Sequence, residues 1–329
     1  MEAIREYRYI SDVAEHIASF VAMKRAAGYP YNGSALILKK FDRMLADDFP
    51  GQAMITKEAC DEWISRSRIL HPNTLIRRVT PVRQLCKYLA ATGVKAYIIP
   101  RNIPVKSMKY QPHVFTYEEL SAFFAEVDKG ERSPYAPFDH IIAPCLLRMI
   151  YCCGLRNSES RNLALSDVDL QTGKVVIRES KGWKRRIVYL SDDMLEQCRL
   201  YDLEIRKVCP ERTMFFPSVR GGIMGMGGPG KLFHKYWDGL PQANNVAGNK
   251  PRVHDFRHSY AVHILNKWFK EGANLSAMYP YLSEYLGHAH YQDTDYYMHL
   301  VDDFYPELER RMNAVNENIL PGIPKTDTR

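Results

Sequence analysis

Three things are scarce in this 329-residue chain, and each scarcity excludes a class of protein. Apolar runs are short: the longest, Ile141 to Cys153, is interrupted by Arg148 and falls below the ~20 residues that span a bilayer. The opening MEAIREYRYI carries no signal-peptide core, so a soluble cytoplasmic protein without a membrane partner is expected. Cysteine is sparse and odd in number, 7 in all, with no C-x-x-C pair, which argues against a disulfide framework or a zinc site. Cys145, Cys152 and Cys153 lie in apolar, helical-looking surroundings and are expected as buried, reduced thiols. Acid is missing from one long stretch: from Trp63 to Tyr117 there is no Asp or Glu, where an even spread of the chain's 38 acids would place about six.

What fills that stretch is base. Arg77, Arg78, Arg83, Lys87, Lys106 and Lys109 all fall within it, together with Arg66, Arg68, Lys95 and Arg101. The formal net charge of +7 is modest, so the clustering carries the information rather than the total. A basic stripe on helices and a linker suits a phosphate backbone, because each cation set against DNA releases a condensed counterion. The six residues named first are therefore candidate DNA contacts, with double-stranded DNA as the partner; a merely solvated face is the competing reading.

Hydrophobic periodicity divides the chain in two. With 46% hydrophobic residues and a length beyond one usual domain, two cores are expected. Residues 1–103 read as short amphipathic helices. Asp12 and Glu15 resemble a capping box ahead of Val13, Ile17, Phe20 and Val21, and Gly28 ends that segment. Ile37, Phe41, Met44 and Leu45 repeat the pattern, a third helix is expected from Thr56 to Ser65, and a fourth carries Leu75, Val79, Val82, Leu85 and Leu89. Pro81 is expected to start, kink or split that fourth helix. Residues 104–115 form a proline-broken, acid-free linker. A larger mixed unit, 116–329, opens with Thr116 and Glu119 as a capping box. In it Lys174–Arg178 and Arg186–Leu190 flank a turn at Lys181-Gly182-Trp183 as a β-hairpin, and the remainder reads helical apart from the glycine-rich stretch Gly221–Gly230.

Five local signals in the second unit belong together. CCGLRNSESRNL places Arg156 at a turn between helices, with Glu159 one helical turn on. ESKGWKRRIVYL puts Lys181 at a hairpin tip, with Lys184 as a competitor. HDFRHSYAVHIL sets His254 and Arg257 one turn apart on one helix face. YLGHAH supplies His288, and TDYYMHL supplies Tyr297, with Tyr296 and Tyr291 as neighbours. Singly each has a bland alternative: an ion-paired arginine, a solvated lysine, a Glu159 that steadies Arg156.

Taken in order, GLRNSE, SKGWKRRIVYL, HDFRHSYAVHIL and LGH followed by the tyrosine of YMHL resemble the tyrosine recombinase (phage integrase) family, strongly from Thr116 to Leu300 and more loosely before it. The resemblance implies a mainly α fold with a small β-sheet, in two domains: a helical core-binding domain and a mixed α/β catalytic domain. It implies site-specific recombination through a 3′-phosphotyrosyl intermediate. Tyr297 would be the nucleophile, Arg156 and Arg257 the phosphate grip, Lys181 the general acid, and His254 and His288 the remainder of the pocket. No metal or other cofactor is implied. The role is that of a mobile-element integrase or transposase, with a chromosome-dimer resolvase as the alternative within the family and a catalytically silent DNA-binding protein as the alternative outside it. The amphipathic run Phe304, Leu308, Met312 and Val315 would form a C-terminal helix of the kind that docks on a neighbouring subunit, giving a dimer or tetramer on DNA, though packing on its own domain stays open.

The chemistry suits that inventory. Negative charge grows on the nonbridging oxygens of a phosphodiester under attack, and two arginine forks stabilise it without a metal. A tyrosine of ordinary pKa is only about one part in a thousand ionised at neutral pH, so a base and a cationic pocket must help remove its proton. The departing deoxyribose oxygen needs an acid, worth on the order of 10² to 10⁴ in rate. Rival constellations fail on detail. GMGGPGK has a phosphate-loop outline, yet Leu232 stands where a magnesium-holding hydroxyl is required. His254, His258, His263, His288, His290 and His299 come with no H-E-x-x-H and no carboxylate cluster.

Overall fold

The computed structural model describes residues 4–68, 70–102, 110–178, 185–244, 246, 249–288, 290, 294 and 297. The chain forms two compact units, Met1–Tyr110 and Gln111–Arg329. Among the described residues the fold is mostly helical with one small antiparallel sheet, and no helix is long and apolar enough to cross a membrane.

The first unit packs four helices: α1 Ala14–Ala26, α2 Asn32–Asp48, α3 Lys57–Arg68 and α4 Pro72–Ala91. Their apolar faces meet in one core, with Ile17 and Phe20 from α1, Leu38 and Phe41 from α2, Trp63 from α3 and Val79, Val82 and Leu85 from α4. Each such side chain contributes about 1.5–3 kcal/mol on burial. Trp63 is fixed further by its indole N–H donating to the Arg78 carbonyl at 3.3 Å and by an edge contact with Phe41. The capping box expected at Asp12 does not form. Val13 occupies the N-cap without a side-chain bond, and Asp12 instead accepts from the Gly51 N–H at 2.8 Å. Buried Asp42 takes the preceding segment, accepting from the Ile10 and Ser11 N–H groups at 2.7 and 3.1 Å. Pro81 neither starts nor splits a helix: α4 begins at Pro72, which sits in the first turn where its missing N–H costs nothing, and runs on through Pro81.

The basic side chains of α4 divide by exposure. The Arg78 guanidinium lies over the Trp63 ring at 4.4 Å, and Arg83 donates to the carbonyls of Ile99 and Pro100 at 3.0 and 2.8 Å. Arg77 and Lys87 are exposed. Lys106 and Lys109 lie outside the described residues.

The second unit is built round α6, Asp139–Cys152, which packs against α5 (Tyr117–Asp128), α8 (Asp192–Val208), α9 (Gly228–Trp237) and α10 (Asp255–Lys270). Short α7 (Asn157–Arg161) follows α6, and α11 (Leu275–Leu286) packs on α10. The Thr116 and Glu119 capping box at α5 is complete. Arg148, which interrupts the longest apolar run, sits at the edge of the core with both Nη atoms on Asp128 at 2.7 and 2.6 Å. Strands β1 (Lys174–Ile177) and β2 (Arg186–Tyr189) pair antiparallel, with Ile177 opposite Arg186. The turn between them, with Lys181 and Lys184, lies outside the described residues. Two expectations need correction. Gly228 to Gly230 open α9 rather than extend a loop, because Pro229 suits the first turn. Cys152 is exposed, since it stands on the outer side of the last turn of α6 while Cys145 and Cys153 face the core; all seven cysteines are free.

Candidate functional site

The site gathers where two chain reversals meet. Helix α6 ends at Gly154 (φ +56°) and α11 at Gly287 (φ +65°), both left-handed, a conformation glycine adopts without strain. Each reversal delivers carbonyl oxygens to an arginine. Arg257, in the first turn of α10, donates from Nη1 to the Gly154 carbonyl at 2.6 Å and from Nη2 to the Leu286 carbonyl. Arg156, the N-cap of α7, donates from Nη2 to the Gly287 carbonyl at 2.7 Å. Helix C-termini carry partial negative charge, so both guanidiniums sit where a cation is favoured.

A single buried carboxylate ties the arginines together. Glu159 accepts from Arg156 Nη1 at 2.7 Å and from the Arg156 backbone N–H at 2.8 Å. Both of its oxygens also receive the fork of Arg186, at 2.7 and 2.8 Å, and Arg257 Nη1 stands 4.0 Å away. Burial alone would raise the Glu159 pKa, but the Arg186 hydrogen bonds and charge overcome it and bring it down to about 2. Among the described residues around Glu159, three cations face one anion, a surplus of positive charge.

That surplus acts on the histidines. His254 precedes Arg257 by one turn, and its ring centroid lies 4.9 Å from that of His258. Burial first, and then Arg257, lower the pKa of His254 to about 4. His258 falls to about 3 through burial, His254 and Arg257, and His288 to about 3 through burial, Arg257 and Arg156. All three are neutral near pH 7. Tyr297, only 2% exposed, lies against two of them, stacked on His288 at 5.9 Å and tilted against His258 at 5.5 Å. Thr294 fixes His288 through a 2.6 Å contact with Nδ1.

Of the residues singled out from the sequence, Arg156, His254, Arg257, His288 and Tyr297 come together here; Lys181 lies outside the described residues. His263 belongs elsewhere, bonded to the Tyr151 hydroxyl at 2.8 Å and stacked on Tyr117. Among the described residues no three His, Cys, Asp or Glu side chains are grouped to hold a metal. Arg186 and His258 were not foreseen as parts of the site. In Arg186-Ile-Val-Tyr189 the alternating pattern leaves Ile187 and Tyr189 exposed and turns Arg186 inward beside Val188. Apolar content alone would choose the opposite face for that strand. His258 sits one turn beyond His254 on the same helix, a spacing that could have marked it.

The phage integrase family model matches residues 114–303. The Sinorhizobium fredii protein y4rB, named as an integrase/recombinase, is 27% identical over 312 residues, which cover 92% of this chain and 98% of that one. A tyrosine recombinase of Pseudothermotoga lettingae is 25% identical over 77% of each chain. Two solved structures share the fold. A lambda integrase (75–356) dimer bound to a COC′ core site superposes with TM-score 0.61 at 13% identity, covering 88% of this chain and 95% of that one. The XerH site-specific recombinase in a post-cleavage complex with a palindromic difH substrate superposes with TM-score 0.60 at 21% identity, covering 84% and 78%.

Proposed function

Because the chain belongs to the phage integrase family it is a site-specific DNA recombinase that works through a tyrosine nucleophile, and we propose that the nucleophile is Tyr297. Its hydroxyl attacks the scissile phosphorus, forming a 3′-phosphotyrosyl bond as the bond to the 5′ oxygen breaks. A neutral histidine of the pocket accepts the tyrosine proton, and Lys181 protonates the departing oxygen. Arg156 and Arg257 stabilise the charge that builds on the nonbridging oxygens. Resealing reverses these steps with the 5′ hydroxyl of another strand, and the phosphotyrosyl ester carries the bond energy forward. The observation that supports this reading is the packing of Tyr297 against His258 and His288, beside the paired arginines.

The helical region 1–103 would serve as the core-binding domain, 104–115 as linker and 116–329 as the catalytic domain, acting in the cytoplasm on double-stranded DNA. A mobile-element integrase is favoured over a chromosome-dimer resolvase, on the long segment between HDFRH and LGH. Self-assembly on paired half-sites belongs to the same reading, with the run Phe304 to Val315, outside the described residues, as the docking helix. Its support is that lambda integrase has been solved as a dimer on a core site and as a tetramer on a Holliday junction.

The experiment is direct. Purified protein and duplex DNA bearing its site are expected to give an SDS-stable protein–DNA band in EDTA without ATP. Complete loss in chelator, restored by magnesium or zinc, would instead identify a metal-dependent hydrolase. The stripe makes a separate prediction. Reversing the exposed pair, Arg77→Glu with Lys87→Glu, should weaken binding to every DNA sequence alike and flatten the slope of log K against log salt by about 2. Arg78 and Arg83 are left out because their guanidiniums are engaged within the unit. An unchanged slope would reduce the stripe to a solvated face.

A further inference from the structure

Arg186 takes no part in the steps just described, yet the placement of the phosphate grip turns on it. Its side chain is 4% exposed, against 16% for Arg156, and its Nη atoms are turned to Glu159. Both Nη atoms are set on Glu159 in a fork-on-fork pair at 2.7 and 2.8 Å. Glu159 in turn fixes Arg156 twice, through Nη1 and through the backbone N–H. Without the fork, Glu159 could turn about its terminal torsion, and the bond it receives from Arg156 Nη1 would no longer be held in place. Gly287 is shaped to the same arrangement, since a Cβ there would stand 3.0 Å from Arg186 Nη1 and 3.5 Å from Arg156 Nη1.

We infer that Arg186 is a positioning residue: acting through Glu159, it holds Arg156 in register with the reacting phosphate and ties that grip to strand β2. The inference rests on the reading of Arg156 as a phosphate ligand. A lysine at 186 would keep the positive charge but cannot make two parallel bonds to one carboxylate.

The test compares two substrates for first-strand cleavage: ordinary DNA, and DNA with an uncharged methylphosphonate at the scissile position. Arg186→Lys is expected to cut the ordinary phosphodiester about a hundredfold more slowly, the scale of a misplaced catalytic group, with DNA binding and melting temperature retained. Its loss on the methylphosphonate should be much smaller, because that substrate builds less charge for Arg156 to meet. A role confined to stability would slow both substrates together, and either that result or an undiminished rate on the phosphodiester overturns the inference. Should Arg186→Lys not fold, Glu159→Gln, which keeps the shape and both arginines, is expected to show the same selective loss, and equal loss on both substrates overturns the inference there too. A wild-type protein that forms no adduct at Tyr297 would overturn the proposed function itself, which separates the two failures.

Discussion

Tyr297→Phe is expected to abolish the covalent protein–DNA complex completely while leaving DNA binding and fold intact. The substitution removes one oxygen and no charge. The ring that packs against His258 and His288 remains, so the stability change should stay near the ~1 kcal/mol scale of one hydrogen bond. The basic face of α4 is untouched. The measurement is a denaturing gel of protein and nicked-site DNA, with binding followed by mobility shift on the same samples. A surviving SDS-stable band from the phenylalanine variant would transfer the role to Tyr296 or Tyr291.

The second large effect is a loss of folding stability in mild acid. His254, His258 and His288 have pKa values brought down to about 4, 3 and 3, from an ordinary value near 6.5, by burial first and by the neighbouring cations second. In the unfolded chain they take up protons below about pH 6.5; in the fold they refuse them until pH 4 or lower. Unfolding therefore gains protons throughout that window, and stability falls as pH drops from 6.5 toward 4, each histidine costing at most about 1.4 kcal/mol per pH unit. Glu159 acts lower down. Its pKa, lowered from 4.5 to about 2, contributes stability that is whole above 4.5 and lost as pH falls toward 2. Urea unfolding at stepped pH should show a decline beginning near 6.5, shallower in His258→Phe. A flat profile between pH 7.5 and 5 would contradict the neutral, buried state of these rings. Cleavage in this range should fade with the folded fraction rather than trace a histidine titration.

How far the sequence was readable differs by layer. Helices with a clear apolar face, such as α4 with Leu75, Val79, Val82 and Leu85, were legible because 3.6-residue periodicity records burial directly. Thr116 and Glu119 were legible because a capping box is local. Asp12 was not, because a contact from Gly51, distant in sequence, took the carboxylate that local spacing had assigned to a cap. Pro81 neither starts nor splits α4 for a related reason: the tertiary packing of α4 holds a helix together through a residue that would weaken it in isolation. In the site, Arg156, His254, Arg257, His288 and Tyr297 could be named from motifs, since each stands in a distinctive local phrase. Arg186 could not, because its meaning arises only when β2 is set against α7 and the Glu159 carboxylate is found between them.

The glycines at 154 and 287 enlarge the mutational target of this enzyme beyond its functional side chains. They hold the backbone that both arginines grasp, and neither tolerates ordinary replacement. An added Cβ at Gly154 would stand 2.9 Å from both Leu286 and Tyr260, and one at Gly287 would press on Arg186, each on a backbone of positive φ. A random single-base lesion at either codon therefore threatens catalysis as much as one at a charged position would. In a variant library, holding these two codons fixed would keep more of the clones active.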